Sequence, residues 1–165
     1  MKKLFCLFLF VFISCCSGVD FVFKDGDLSN FIINKTAYSV SGEKKDIINK
    51  HLIYYFGTSQ TPEFSLSLSF TEKVTKKSIE KNQVASKFDY EIFIDYALKN
   101  NTKNCIMLKF KNSSRFTFVP KSSGYNFASD KSLEKLYDLS IEKNIYKFIS
   151  KLADVSEKKD CLSEN

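Results

Sequence analysis

Residues 63–74, EFSLSLSFTEKV, restrict the possible folds more than any other stretch. Phe64, Leu66, Leu68 and Phe70 alternate with Ser65, Ser67, Ser69 and Thr71. Successive side chains of a strand point to opposite faces, so period two makes one apolar face and one polar face. A helix cannot use this spacing. Residues 85–101 repeat it: Phe88, Tyr90, Ile92, Ile94, Tyr96 and Leu98 lie opposite Asp89, Glu91, Asp95 and Lys99. Residues 104–119 form a third run, in which Ile106, Leu108 and Phe110 share a face, as do Phe116 and Phe118 further on. Pro120 ends it, because proline cannot donate to a ladder. Three consecutive runs of this kind predict an antiparallel meander with one apolar face.

The flanking segments supply the cover. Residues 30–40, NFIINKTAYSV, predict a first strand. Over 41–57, Ile48, Leu52, Tyr55 and Phe56 form a helical stripe, with Ser41 or Gly42 as cap and Gly57 as the terminating residue. A long helix is predicted over 128–155, capped by Ser129 or Asp130. Its stripe is Leu133, Leu136, Tyr137, Ile141, Ile145, Phe148, Ile149 and Leu152. The order is β-α-β-β-β-α. The predicted fold class is α+β, a two-layer sandwich in which two helices cover one face of a four-stranded, mostly antiparallel sheet. The crossover through the first helix should be right-handed. The other sheet face, with Ser65, Ser67, Asp89, Glu91 and Asp95, is polar enough for water or a polar cavity.

The chain has 165 residues, enough for one domain. The expected division is a leader at 1–14, an anchor and tether at 15–28, the domain at 29–153, and a polar tail at 154–165 that should fray. Seventeen Phe and eight Tyr against no Trp indicate an aromatic-rich core. Setting Lys2 and Lys3 of the leader aside, 23 basic residues face 19 acidic ones, a net +4. That charge is too small to imply nucleic acid but suits anionic headgroups or sugar phosphates.

Lys2 and Lys3 precede the apolar run LFCLFLFVFI at 4–13. A spanning helix needs roughly 20 apolar residues, so this run has the shape of a secretory leader. It ends Phe12-Ile13-Ser14-Cys15-Cys16, which resembles the bacterial lipobox, where a small residue precedes a cysteine that is acylated. Ser14 favours Cys15 as the acylated residue; Cys16, with Ile13 three residues before it, is the alternative. Anchoring to a membrane through this acyl group is the expectation.

Cys105 and Cys161 do not by themselves make a disulfide framework, and whether they pair stays open. His51 is the one histidine and is expected on a helix surface or interface. No nucleophile elbow, zinc motif or phosphate loop occurs, so neither catalysis nor a metal or other cofactor is expected. A hydrolase using Asp89 and Glu91 is conceivable, but a solvated strand face accounts for them more simply.

The stretch 122–152, SSGYNFASDKSLEKLYDLSIEKNIYKFISKL, resembles the C-terminal signature of the alphaproteobacterial LptE family of lipopolysaccharide (LPS) assembly lipoproteins. In that signature a Tyr-Asn pair leaves the last strand, and a small residue and Ser precede an acidic-start helix. Here those are Tyr125, Asn126, Ala128, Ser129 and Asp130. The resemblance implies a non-enzymatic lipoprotein of the outer membrane. It would plug the large β-barrel LptD, aid its assembly and contact LPS. In the meander, the turn after the second strand and the end of the fourth share one end of the sheet. Lys76, Lys77 and Lys81 of the turn region, with Lys121 and the lone arginine, Arg115, are the candidate LPS contacts. The alternative is an exported soluble or lipid-anchored binding domain of other function, in which NKT at 34–36 and NNT at 100–102 would be glycosylation acceptors.

Overall fold

In a computed structural model, residues 32–79, 85–120, 126–156 and 161–162 are described. The leader, Cys15, Cys16, Lys81, Lys121 and Tyr125 lie outside them. The elements are β1 (Thr36–Ser41), α1 (Lys45–Phe56), β2 (Phe64–Ile79), β3 (Ala85–Asn100), β4 (Cys105–Phe118) and α2 (Asn126–Ser156). The strands form one sheet in the order β1-β2-β3-β4. β1 and β2 are parallel, with Thr36 opposite Phe64, and the crossover through α1 supplies that direction. β2–β3 and β3–β4 are antiparallel. This is the two-layer α+β architecture and element order that the periodicity predicts.

The apolar set of the meander builds the core. Leu66, Leu68, Phe70, Ile92, Ile94, Tyr96 and Leu98 are buried against Ile48, Leu52 and Phe56 of α1 and Ile141, Ile145, Phe148 and Leu152 of α2. Phe148 sits at its centre, stacked on Tyr96 with ring centroids 4.3 Å apart.

The structure moves several boundaries. β1 begins at Thr36 rather than near residue 30, because a turn precedes it: Lys35 N–H donates to Ile32 O at 3.2 Å, Thr36 Oγ1 donates to the same oxygen at 2.9 Å, and Asn34 adopts φ 56°. Neither Ser41 nor Gly42 caps α1. Ser41 ends β1, its hydroxyl donating to Leu68 O at 3.2 Å, and Lys44 precedes the helix without a side-chain cap. Gly42 instead makes the turn, at φ +110°, where a Cβ would stand 2.6 Å from Phe70 O. Gly57 does end α1, its N–H donating to Ile53 O at 2.9 Å.

β2 extends five residues past the apolar alternation. Backbone pairing with β3 continues as far as Ile79 opposite Ala85, although Val74 and the lysines beyond it bury little. α2 begins at Asn126, so Ser129 and Asp130 lie inside its first turns; Phe and Ala at 127 and 128 are residue types with no side-chain group that competes with helical bonding. In β4 the alternation breaks. Leu98 faces Leu108 and Lys99 faces Ile106, leaving Met107 as the extra residue of a β-bulge, and it is buried.

The tail is tied down where it is described. Cys161 forms a disulfide with Cys105, Cα atoms 5.8 Å apart, and Leu162 N–H donates to Ile106 O at 2.8 Å. The expectation of a wholly frayed tail therefore fails at these two residues, where a covalent bond outweighs their polar context.

Candidate interaction surface

The sheet face turned away from the helices can be followed row by row across the strands. Ser41, Ser69, Asp95 and Lys111 form one row; Thr71, Phe93 and Ser113 the next; Lys73, Glu91 and Arg115 a third; Thr75, Asp89 and Thr117 a fourth. Every one of these positions follows from the alternation that buries the opposite set. The β1 side is smooth, because its outward residues are Ala37, Ser39 and Ser41 beside Ser65, Ser67 and Ser69. A concavity of ≈590 Å³ lies over Ser39, Ser67, Asp95, Lys109 and Lys111.

Cross-strand pairs neutralise most of the charge on this face. Lys111 meets Asp95 at 3.2 Å and Lys77 meets Asp89 at 3.7 Å. Arg115 donates through Nε to Glu91 Oε1 at 2.7 Å and through Nη2 to the same oxygen. Thr117 Oγ1 donates to Asp89 Oδ1 at 2.7 Å. The two carboxylates that a hydrolase would need are thus both engaged as acceptors. No group of three His, Cys, Asp or Glu among the described residues is placed to hold a metal ion.

Of the candidate LPS contacts, Lys77 and Arg115 come together with Lys73 around a concavity of ≈360 Å³ at the β2–β3 tip. Lys76, opposite Phe88, belongs to the other face of the strand; period two separates residues that are adjacent in the chain. It is exposed beyond the end of the core. Lys81 and Lys121 fall outside the described residues, as do both candidate acylation sites.

The helix layer holds features that periodicity alone did not separate. His51 is 7% exposed and sits between the helices, with Nε2 2.9 Å from Asp138 Oδ1. Lys50 Nζ reaches the same oxygen at 3.3 Å. Burial pushes the Asp138 carboxyl up, but the bonds from His51 and Lys50 outweigh it and hold the group below its ordinary value of 3.8. Tyr55 donates to Glu142 at 3.1 Å, and its phenol is raised first by burial and then by its hydrogen-bond partners. Tyr38 donates to Gly57 O at 2.6 Å, and burial pushes it up to about 12.

A polar seam also runs through the β4–α2 contact. Ser140 donates to Ser114 Oγ at 2.8 Å, and Ser114 donates to Ser140 O at 3.2 Å. Tyr96 donates to Asn144 Oδ1 at 3.1 Å, and Asn144 Nδ2 donates to Asn112 O at 3.4 Å. Burial also raises the Tyr96 phenol. Ser140 and Asn144 fall within the apolar stripe of α2, four residues apart, opposite Asn112 and Ser114 on the inner face of β4. Their matching positions were the signal in the sequence, readable only once the two elements are known to touch.

No protein-family model and no curated protein sequence matches the chain. Solved structures do. The chain is similar to the rare lipoprotein B of Shewanella oneidensis, with TM-score 0.55 and 14% identity over 76% of this chain and 98% of that one. It is equally similar to a candidate lipoprotein of Caulobacter crescentus, with TM-score 0.55 and 14% identity over 78% and 93%. An uncharacterised lipoprotein B of Nitrosomonas europaea gives TM-score 0.51 and 8% identity over 84% and 96%. At such low identity the likeness lies in the fold. The chain shares the fold of these bacterial lipoproteins across nearly the whole of their lengths.

Proposed function

We propose that this protein is a lipid-anchored, non-enzymatic partner of an LptD-type outer-membrane β-barrel. It would occupy the barrel lumen, assist barrel assembly and meet LPS on its way to the cell surface. The observation that carries this reading is the fold, shared over 98% of the rare lipoprotein B chain and joined here to a lipobox-like leader. Two features of the molecule support it. The Cys105–Cys161 disulfide suits an oxidising compartment such as the periplasm. The outer sheet face, with its serines and internally neutralised carboxylates, suits the polar interior of a barrel. Acylation falls to Cys15, or to Cys16. The LPS contacts fall to Lys76, Lys77 and Arg115, with Glu91 orienting Arg115, and to Lys81 and Lys121, which lie outside the described residues.

The test is affinity purification from detergent extracts of the envelope. A large barrel protein should co-purify in stoichiometric amount; its absence overturns the reading. Labelling with palmitate tests the anchor separately, and the Cys15→Ser, Cys16→Ser double variant should take no label.

A further inference from the structure

We propose that, when tethered but not engaged with a barrel, the protein rests on anionic phospholipid headgroups through the outer face of its helix layer. This rests on the lipid-anchored part of the reading above. Four of the large exposed apolar side chains lie on the outside of the two helices: Ile53 at 50% exposure, Tyr54 at 79%, Leu139 at 51% and Tyr146 at 39%. Tyr54, Tyr55 and Tyr146 form a continuous aromatic run from α1 to α2, with centroids 5.0 and 5.1 Å apart. Tyrosine, with an apolar body and a polar tip, settles at the headgroup level of a bilayer.

The charge around this run has the matching sign. Lys143 and Lys147 are exposed on the same side of α2 as Leu139 and Tyr146, and no ion pair holds either among the described residues. Of the nearby carboxylates, Asp138 is paired with Lys50 and accepts from His51, and Glu142 keeps its charge while accepting from Tyr55, so Lys143 and Lys147 leave the run net positive. The opposite face of the molecule is a poorer match: Lys77, Lys111 and Arg115 are paired across strands, Lys73, Lys99 and Lys109 have no exposed aromatic beside them, and its central aromatic, Phe93, is half-buried.

The path of the chain points the same way. Asn34 N–H donates to Phe56 O at 2.8 Å, so the segment leading from the anchor meets the fold at the last turn of α1, beside Ile53 and Tyr54. Residues 15–31 span at most about 60 Å when fully extended. A tether that short keeps the domain at a high effective concentration near its own leaflet, so a weak contact suffices.

The sequence contains no Trp, so one introduced indole reports alone. Tyr54→Trp and, as control, Phe93→Trp are made in the full-length gene, and each protein is purified from envelopes and reconstituted in vesicles. With brominated phosphatidylglycerol in the vesicles, the emission of the Tyr54→Trp protein should shift to the blue and be quenched, while that of the Phe93→Trp protein is not. Adding the Lys143→Ala, Lys147→Ala pair should lower the docked-to-free ratio about thirtyfold, at about 1 kcal/mol per lysine. Salt at about 1 M, where the Debye length is about 3 Å, should do the same. Equal signals from the two faces, or equal quenching in neutral phosphatidylcholine, would overturn the proposal. So would a helix-face indole that is silent with vesicles and responds only to a co-purifying barrel, which assigns the face to a protein partner. A chain that does not float with vesicles refutes the anchor instead. The same comparison of the two single-indole proteins, with excess lipid added from solution, then still decides the docking face.

Discussion

Breaking the Cys105–Cys161 bond should cost this domain a large part of its stability. The bond closes a loop with a sequence separation of 56, holding β4 and α2 between its ends. In the chain-entropy account a loop of that size removes about 14 cal/mol/K from the unfolded state, or about 4 kcal/mol at 25 °C. Domains are stable by only about 5–15 kcal/mol, so this is a substantial share. The native state loses less, chiefly the tail contact at Ile106. The assay is urea unfolding followed by far-UV circular dichroism, with and without reductant, for the parent and the Cys105→Ser, Cys161→Ser variant. With a slope of about 2 kcal/mol/M, reduction should lower the midpoint by about 2 M. The double variant should match the reduced parent and ignore reductant. The slope should rise on reduction, because the opened chain exposes more surface when unfolded. A midpoint that moves by less than about 0.3 M would refute the loop-entropy reasoning, given the usual extrapolation error. Thiols at Cys105 and Cys161 that alkylate without reductant, in protein taken from the envelope, would refute the pairing itself.

Phe148 is fully buried and stacks on Tyr96, so Phe148→Ala should cost about 3–5 kcal/mol in chemical denaturation; a loss under about 1 kcal/mol would mean the core collapses into the gap. Gly42→Ala forces a Cβ against the Phe70 backbone at positive φ and should lower the melting temperature, whereas Gly→Ala at a permissive site raises it. The Asp138 carboxyl titrates below its ordinary value in the fold, so its contribution is complete above that value and is lost as pH falls from there through its lower folded value. Asp138→Asn should therefore lower stability at neutral pH and flatten the acid limb below the ordinary carboxylate value; parallel melting curves for the two proteins would sink the assignment. Asn144→Leu strands the Tyr96 hydroxyl and should cost about 1–3 kcal/mol, while adding Tyr96→Phe should recover part of it in a double-mutant cycle.

The division between what was legible in the chain and what was not follows the range of the interactions. Period two in 63–74 and 85–101 specifies strands, faces and antiparallel pairing, because alternation is a local property carried by immediate neighbours. The stripe Ile48, Leu52, Phe56 and its counterpart in α2 specify helices that must cover that apolar face, and the element order leaves one economical way to do it. The smooth polar outer face follows from the same alternation. What tertiary contact alone decided is non-local. The bulge at Met107 depends on how β4 registers against Leu98 and Lys99. The turn at 32–35 depends on the end of α1, and Gly42 on the backbone of Phe70. The pairing of Arg115 with Glu91, of His51 with Asp138, and of Cys105 with Cys161 joins residues that are 24, 87 and 56 positions apart. A one-dimensional pattern carries the period of an element, but which partner stands across from a given side chain is set only when the elements are packed.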